Sequence, residues 1–438
     1  MREQATRRPH VYELDPLRAL TALSVIAVHV VALTTYLSRS ELSLQMQNAV
    51  VVALHFTRAV FMFVTAFALV YVYYRKPFSL KRFWSKRSIS FLLPYIFWSL
   101  VYIPYNRPGL VLAPVEFIKT AAFDILTGTA SFQLYYILLS LQFYLFLPIF
   151  LLLLKRIARH PWIALSISLM VQVVAFYVDY HYLQETKLAS TSKLWGIVAT
   201  YQDRFLLTYQ FYFLLGAFTA LYFEQVKAFL FRHGWIVVGG FVAILAGTWL
   251  HFVIQIRVFQ LSLDNAGSVL QPMMVFYSAA VIFFMLWLAC HWAVRKGQDG
   301  KPRGYQIWNK LSDASFGVYL IHVFIMNFVL ARVIPAMPAS WHVSVRVFLA
   351  WALTAGASFL SVVVMLHIPF VSRLFGRAHL QWKKVTRSVV EEKSSKSPSQ
   401  VEEGRPARQA IPTMDGSNVA IERYRMITNK EKQQEILY

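Results

Sequence analysis

One compositional unit recurs along this chain: a run of about 20 apolar residues closed at each end by polar or basic segments, as over residues 20–37 and 271–294. A helix rising about 1.5 Å per residue needs about that many residues to cross a hydrocarbon core of roughly 30 Å. Ten such runs are centred near residues 27, 62, 97, 143, 171, 214, 245, 282, 323 and 357. Of 438 residues, 57% are hydrophobic and 15% charged, the latter well below the roughly 25% of soluble domains. The expected fold is therefore all-α: a polytopic membrane protein of about ten helices. The boundaries read as a cytoplasmic segment over 1–15, a transmembrane domain over 16–380 and a polar, disordered cytoplasmic tail over 381–438. The first run carries Arg18 and His29 and has no small-residue cleavage site, so it reads as a retained helix. Residues 114–126 and 185–204 are too short or too polar to cross and read as outer loops.

The chain has 43 Lys and Arg against 21 Asp and Glu, a net charge of +22. Basic residues are retained on the cytoplasmic side of a membrane. With both termini inside, the inner segments up to Lys310 hold nineteen Lys and Arg and the outer ones nine. The surplus is thus an orientation signal in a plasma membrane, with the lipid bilayer rather than nucleic acid as partner. Cys290 is the only cysteine, which excludes an intrachain disulfide and a Cys-rich metal site.

Ionisable groups at membrane depth are costly and invite a functional reading. Arg18 and His29 lie eleven residues apart, which returns them to within about 20° of one helix face and separates them by about 16 Å. Arg18 is either a snorkelling end residue or a ligand contact; His29 is either a satisfied core histidine or a reactive one. In the second run His55 and Arg58 share a face one turn apart, and a buried Arg58 needs either a fixed acceptor or an anionic ligand. His322 stands near mid-depth of the ninth run, as a helix-packing hydrogen bonder or a site residue. Tyr135, Tyr136, Gln142 and Tyr144 read as interhelical hydrogen bonders, and Asp179 and His251 as solvated helix ends. The sequence contains no Gly-rich phosphate loop, no paired metal-ligand motif and no serine nucleophile elbow. Imidazole and guanidinium remain. An imidazole can act as base near neutral pH and guanidinium can hold phosphate or developing negative charge, which suits acyl transfer from a polyanionic thioester to a hydroxyl.

Four stretches resemble the membrane-bound acyltransferase type 3 family. Asp15-Pro16-Leu17-Arg18 continuing to His29 is similar to its D-x-x-R start and R-x10-H signature. Phe61-Met62-Phe63 is followed by Thr65-Ala66 where the family usually has Ser-Gly. Lys86-Arg87 leads to Pro94-Tyr95-Ile96-Phe97-Trp98-Ser99, and Ser315 to His322 resembles a late S-x-x-x-Y-L-x-H. Where the family often has R-x-x-R before the proline, Arg87 is followed by Ser90, leaving Lys86 or Arg82 as the second cation. The Tyr135-Tyr136 and Gln142-Phe143-Tyr144 stretches are similar to members that modify bacterial exopolysaccharides. The resemblance implies acyl-CoA, acetyl or succinyl, as a cytoplasmic donor and a cell-surface carbohydrate as acceptor, with glycan biosynthesis proteins as partners and no metal. It implies His29 as catalytic residue, Arg18 at the donor, Arg58 at the oxyanion and His322 orienting His29 or the acceptor. Arg82, Lys86 and Arg87 would hold the donor at the cytoplasmic mouth, and Trp195 and Trp341 are outer-loop rings that could stack on sugar. Two other readings share the composition: a saccharide flippase with no chemistry, and a membrane sensor working through its tail.

Overall fold

The computed structural model describes residues 9–75, 78–184, 191–298 and 300–377. The expected tail over 381–438 lies outside the described residues. Among the described residues there is no β-strand, and the helices are α1 (Leu14–Leu33), α2 (Glu41–Leu54), α3 (Thr57–Tyr73), α4 (Leu80–Arg87), α5 (Leu93–Asn106), α6 (Pro114–Thr127), α7 (Tyr135–Ile157), α8 (Pro161–Val178), α9 (Lys193–Tyr201), α10 (Gln210–Leu221), α11 (Phe223–Arg232), α12 (Gly234–Arg257), α13 (Pro272–Ala293), α14 (Tyr305–Phe328) and α15 (Val343–Leu366), with short turns between them. Nine helical segments are long and apolar enough to cross a bilayer, and a tenth arises if the bent pair of α10 and α11 is one span. These coincide with the ten apolar runs.

A helix that is apolar all round belongs inside a bundle. Every residue of α10 from Phe211 to Ala220 is buried, and α10 packs along α3. The contact depends on Gly216, because a Cβ there would stand 2.2 Å from the Phe63 carbonyl oxygen. Lipid offers side chains no hydrophobic drive to associate, so polar groups and close packing hold such helices together. The peripheral helices are accordingly inside out. Trp162, Met170 and Val174 of α8 and Trp235, Leu250 and Val253 of α12 are exposed. On the buried side of α8, Ser168 donates to the Gln210 side chain at 2.5 Å and Gln172 to the Thr208 carbonyl at 2.5 Å. On that of α12, Gln255 donates to the Tyr180 hydroxyl at 2.8 Å.

Four sequence expectations are corrected. Residues 114–126 form the helix α6 rather than a loop, started by Pro114 and ended by Gly128 in the left-handed region, φ 72°. Within the expected loop 185–204, residues 193–201 form α9 with Ser192 as N-cap; residues 185–190 lie outside the described set. Asp179 is buried at 5% exposure and accepts a hydrogen bond from Gln184, so it is no solvated helix end. The second span is also not one helix. α2 stops at Leu54 and α3 starts at Thr57, and between them the Tyr277 hydroxyl donates to the Ala53 carbonyl at 2.6 Å, competing with the helical ladder.

Candidate active site

Helices α1 and α14 lie side by side, and two contacts fix their register. At their starting ends the Asp15 carboxylate accepts from the Ser312 hydroxyl at 3.0 Å and stands 2.7 Å from His10 Nε2. That hydrogen bond raises the His10 pKa above the ordinary histidine value, against an opposing effect of partial burial. The motif aspartate is therefore a clamp between the chain's N-terminal segment, α1 and α14. Deeper in the bundle the rings of His29 and His322 stack, with centroids 5.6 Å apart and planes 19° from parallel.

His322 is fully buried, and its Nδ1 lies 2.7 Å from the Tyr319 carbonyl oxygen. A carbonyl can only accept, so Nδ1 carries a proton, and in the neutral form of the ring Nε2 presents a lone pair. That nitrogen is buried with no partner among the described residues. An orphan of this kind costs about 1–3 kcal/mol unless something fills it, which makes His322 a candidate for contact with a ligand. His29 is half-buried; Phe132, itself 49% exposed, meets its ring edge-on at 4.8 Å. Among the described residues no protein group hydrogen-bonds its nitrogens. His322 thus meets His29 by ring stacking rather than by the hydrogen bond that an orienting partner would make.

Arg58 is the second residue of α3, just past the break in the second span. Its guanidinium lies over the Tyr135 ring at 5.0 Å and donates to the Tyr209 hydroxyl at 3.4 Å. Among the described residues it has no carboxylate in ion-pair range. Arg58 and His55 stand close enough to His29 to act on it electrostatically, as does His322. His55 Nδ1 is buried and has no hydrogen-bond partner among the described residues.

A cavity of about 470 Å³ opens at the Arg18 level. Four cations line it: Arg18, Lys86, Arg87 and Arg377, and among the described lining residues there is no carboxylate. Arg18 is in no ion pair among the described residues, since Asp15 is taken by His10 and Ser312. Arg87, at the end of α4, sits among the rings of Phe83, Phe91 and Tyr144 at 5.7, 5.3 and 4.9 Å, which holds a cation without neutralising it. Arg82 is exposed and does not line the cavity, so Lys86 is the cation that accompanies Arg87. At the inner end Phe61, Tyr136 and Tyr319 form an aromatic floor, with ring separations of 5.1, 5.6 and 6.4 Å. Tyr319 bridges the two levels: it lines the cavity, donates its hydroxyl to the Gln133 carbonyl, and lies one turn before His322 with ring centroids 5.9 Å apart.

The structure therefore brings His29, His322, Arg58 and His55 together at depth, and Arg18, Lys86 and Arg87 together at the mouth. Sequence reasoning missed Arg377 and the roles of Tyr136, Tyr144 and Tyr319 as cavity wall. Gln142 does serve as an interhelical bonder, donating to the Arg204 carbonyl at 2.7 Å and accepting from Leu206 N at 3.1 Å. Among the described residues no group of three or more His, Cys, Asp or Glu could hold a metal ion.

A stacked imidazole pair near a cation-lined cavity is an arrangement with the chemical means for acid–base work beside anion binding. The family model for the acyltransferase domain matches residues 11–368, which takes in every one of these residues except Arg377 and His10. The chain belongs to the acyltransferase type 3 family and is a membrane acyltransferase. No curated protein and no solved structure matches it.

Proposed function

We propose that the protein transfers an acetyl or succinyl group from cytoplasmic acyl-CoA to a hydroxyl of a cell-surface carbohydrate. The observation that carries this is the cavity of about 470 Å³ with four cations and, among the described lining residues, no carboxylate, whose floor residue Tyr319 is one helical turn from His322, the ring stacked on His29. Phosphates of the donor would lie against Arg18, Lys86 and Arg87, and the thioester arm would pass Phe61, Tyr136 and Tyr319 towards His29. There the acceptor oxygen attacks the thioester carbonyl carbon while His29 takes the hydroxyl proton. The carbon–sulfur bond breaks, and the proton returns to the departing thiolate. In the two-step alternative His29 carries the acyl group itself. Arg58, in no ion pair among the described residues, stabilises the oxyanion, and the lone pair at His322 Nε2 accepts from a second hydroxyl of the acceptor sugar. The cytoplasmic side for the cavity is supported by the basic residues concentrated at that end, with the plasma membrane as location and glycan biosynthesis proteins as partners.

The test uses membranes containing the full chain, radiolabelled acetyl-CoA or succinyl-CoA, and surface glycan. Label is expected on the glycan as a base-labile ester. Glycan crossing the membrane with no label acquired would instead make the protein a saccharide transporter.

A further inference from the structure

Past the end of the family match, the last described turn of the chain reaches the wall of the cation cavity. The Trp98 indole donates to the Leu374 carbonyl at 3.0 Å, and Phe375, 4% exposed, packs against the Trp98 ring at 5.4 Å. Gly376 follows at φ 74°, a left-handed conformation that glycine adopts without strain. A Cβ at that position would lie 2.6 Å from the Ser90 carbonyl and 2.7 Å from Phe316, so the backbone threads between these two cavity-lining residues. Arg377 N then donates to the Ser372 carbonyl at 3.2 Å. Its guanidinium meets Asp313 of α14 at 2.6 Å, and the Asn309 amide donates to the other Asp313 oxygen at 3.3 Å.

An arginine has five N–H donors in a rigid fork, and one carboxylate oxygen occupies one of them. We infer that Arg377 is a donor-binding residue, a fourth cation that contacts phosphate of the acyl-CoA, and that Asp313 positions its guanidinium at the cavity wall. The inference rests on the reading of this cavity as the donor site. It extends that site to a segment beyond the family signature and makes the C-terminal end of the membrane domain part of donor selection rather than a plain exit from the bilayer.

The experiment compares two donors in membranes carrying the full chain: acyl-CoA and the same acyl group on pantetheine, which lacks the phosphates. Arg377→Gln is expected to raise KM for acyl-CoA about 10- to 100-fold, the size of a lost charge-assisted hydrogen bond, with kcat little changed and KM for acyl-pantetheine unaltered. Arg377→Lys, which keeps the charge and loses the fork, is expected to show a smaller rise confined to acyl-CoA; it also carries the test if the glutamine variant does not accumulate. An equal rise for both donors would mean that Arg377 only holds the fold, and no rise for either would remove it from the site. Wild-type protein that does not use acyl-CoA at all would overturn the donor reading together with this one, an outcome distinct from a wild type that does and an Arg377→Gln that matches it.

Discussion

Membranes carrying His29→Ala are expected to lose acyl transfer by a factor on the order of 10²–10⁴ while the protein accumulates at the wild-type level. The size is what a positioned acid–base imidazole contributes, and loss would be complete if His29 carries the acyl group. Normal accumulation follows from its surroundings. His29 is half-buried and has no hydrogen-bonding protein partner among the described residues, so its removal strands no polar group; what goes is an edge contact with Phe132 and a ring stack with His322. The measurement is label transferred from acyl-CoA to glycan per unit of protein. Transfer at the wild-type rate would exclude His29 from the chemistry.

Arg18→Gln is expected to act on binding, raising KM for acyl-CoA about 10- to 100-fold, in keeping with about 1.5–3 kcal/mol for a hydrogen bond to a charged group. Arg18→Lys should recover part of it, since a lysine keeps the charge but not the planar fork. The prediction separates two roles. A snorkelling arginine would leave KM untouched when replaced, because its charge serves only the interface. Nor should the substitution unfold the protein: Asp15 keeps its hydrogen bonds to His10 and Ser312, so no carboxylate loses a partner. Steady-state kinetics over a range of acyl-CoA concentrations reads the difference directly.

Much of this architecture is legible in the sequence because lipid imposes a strict length and polarity on each crossing. The ten apolar runs return as nine spans and a bent tenth. The Arg18 and His29 pair was visible for a similar reason: helical periodicity alone puts residues eleven apart on one face. What the sequence concealed depends on partners. The break after Leu54 comes with a tyrosine 224 residues away reaching the Ala53 carbonyl, and no local propensity announces it. The 92° bend between α10 and α11 falls inside one apolar stretch, where hydropathy has no resolution. Residues 114–126 are too short and too polar to cross, and neither property tells a loop from a short helix; their helix packs beside α5 and α7. Arg377 lies past the last apolar run, where no motif or spacing ties it to the site. Only the turn at Gly376 and the Asp313 ion pair bring it to Arg18 and Arg87. The aromatic floor was likewise hidden, since Phe61, Tyr136 and Tyr319 come from three helices and no spacing relates them.

These features fit a division of the reaction between two levels of one bundle, with the anion held at the mouth and the acyl group handed over at depth. The most direct measurement uses the protein reconstituted in vesicles, with radiolabelled acyl-CoA supplied to one face and an acceptor oligosaccharide to the other. The account predicts labelled oligosaccharide only when the donor is on the face that carries Lys86 and Arg87. Label formed equally well with the donor on the opposite face would contradict it.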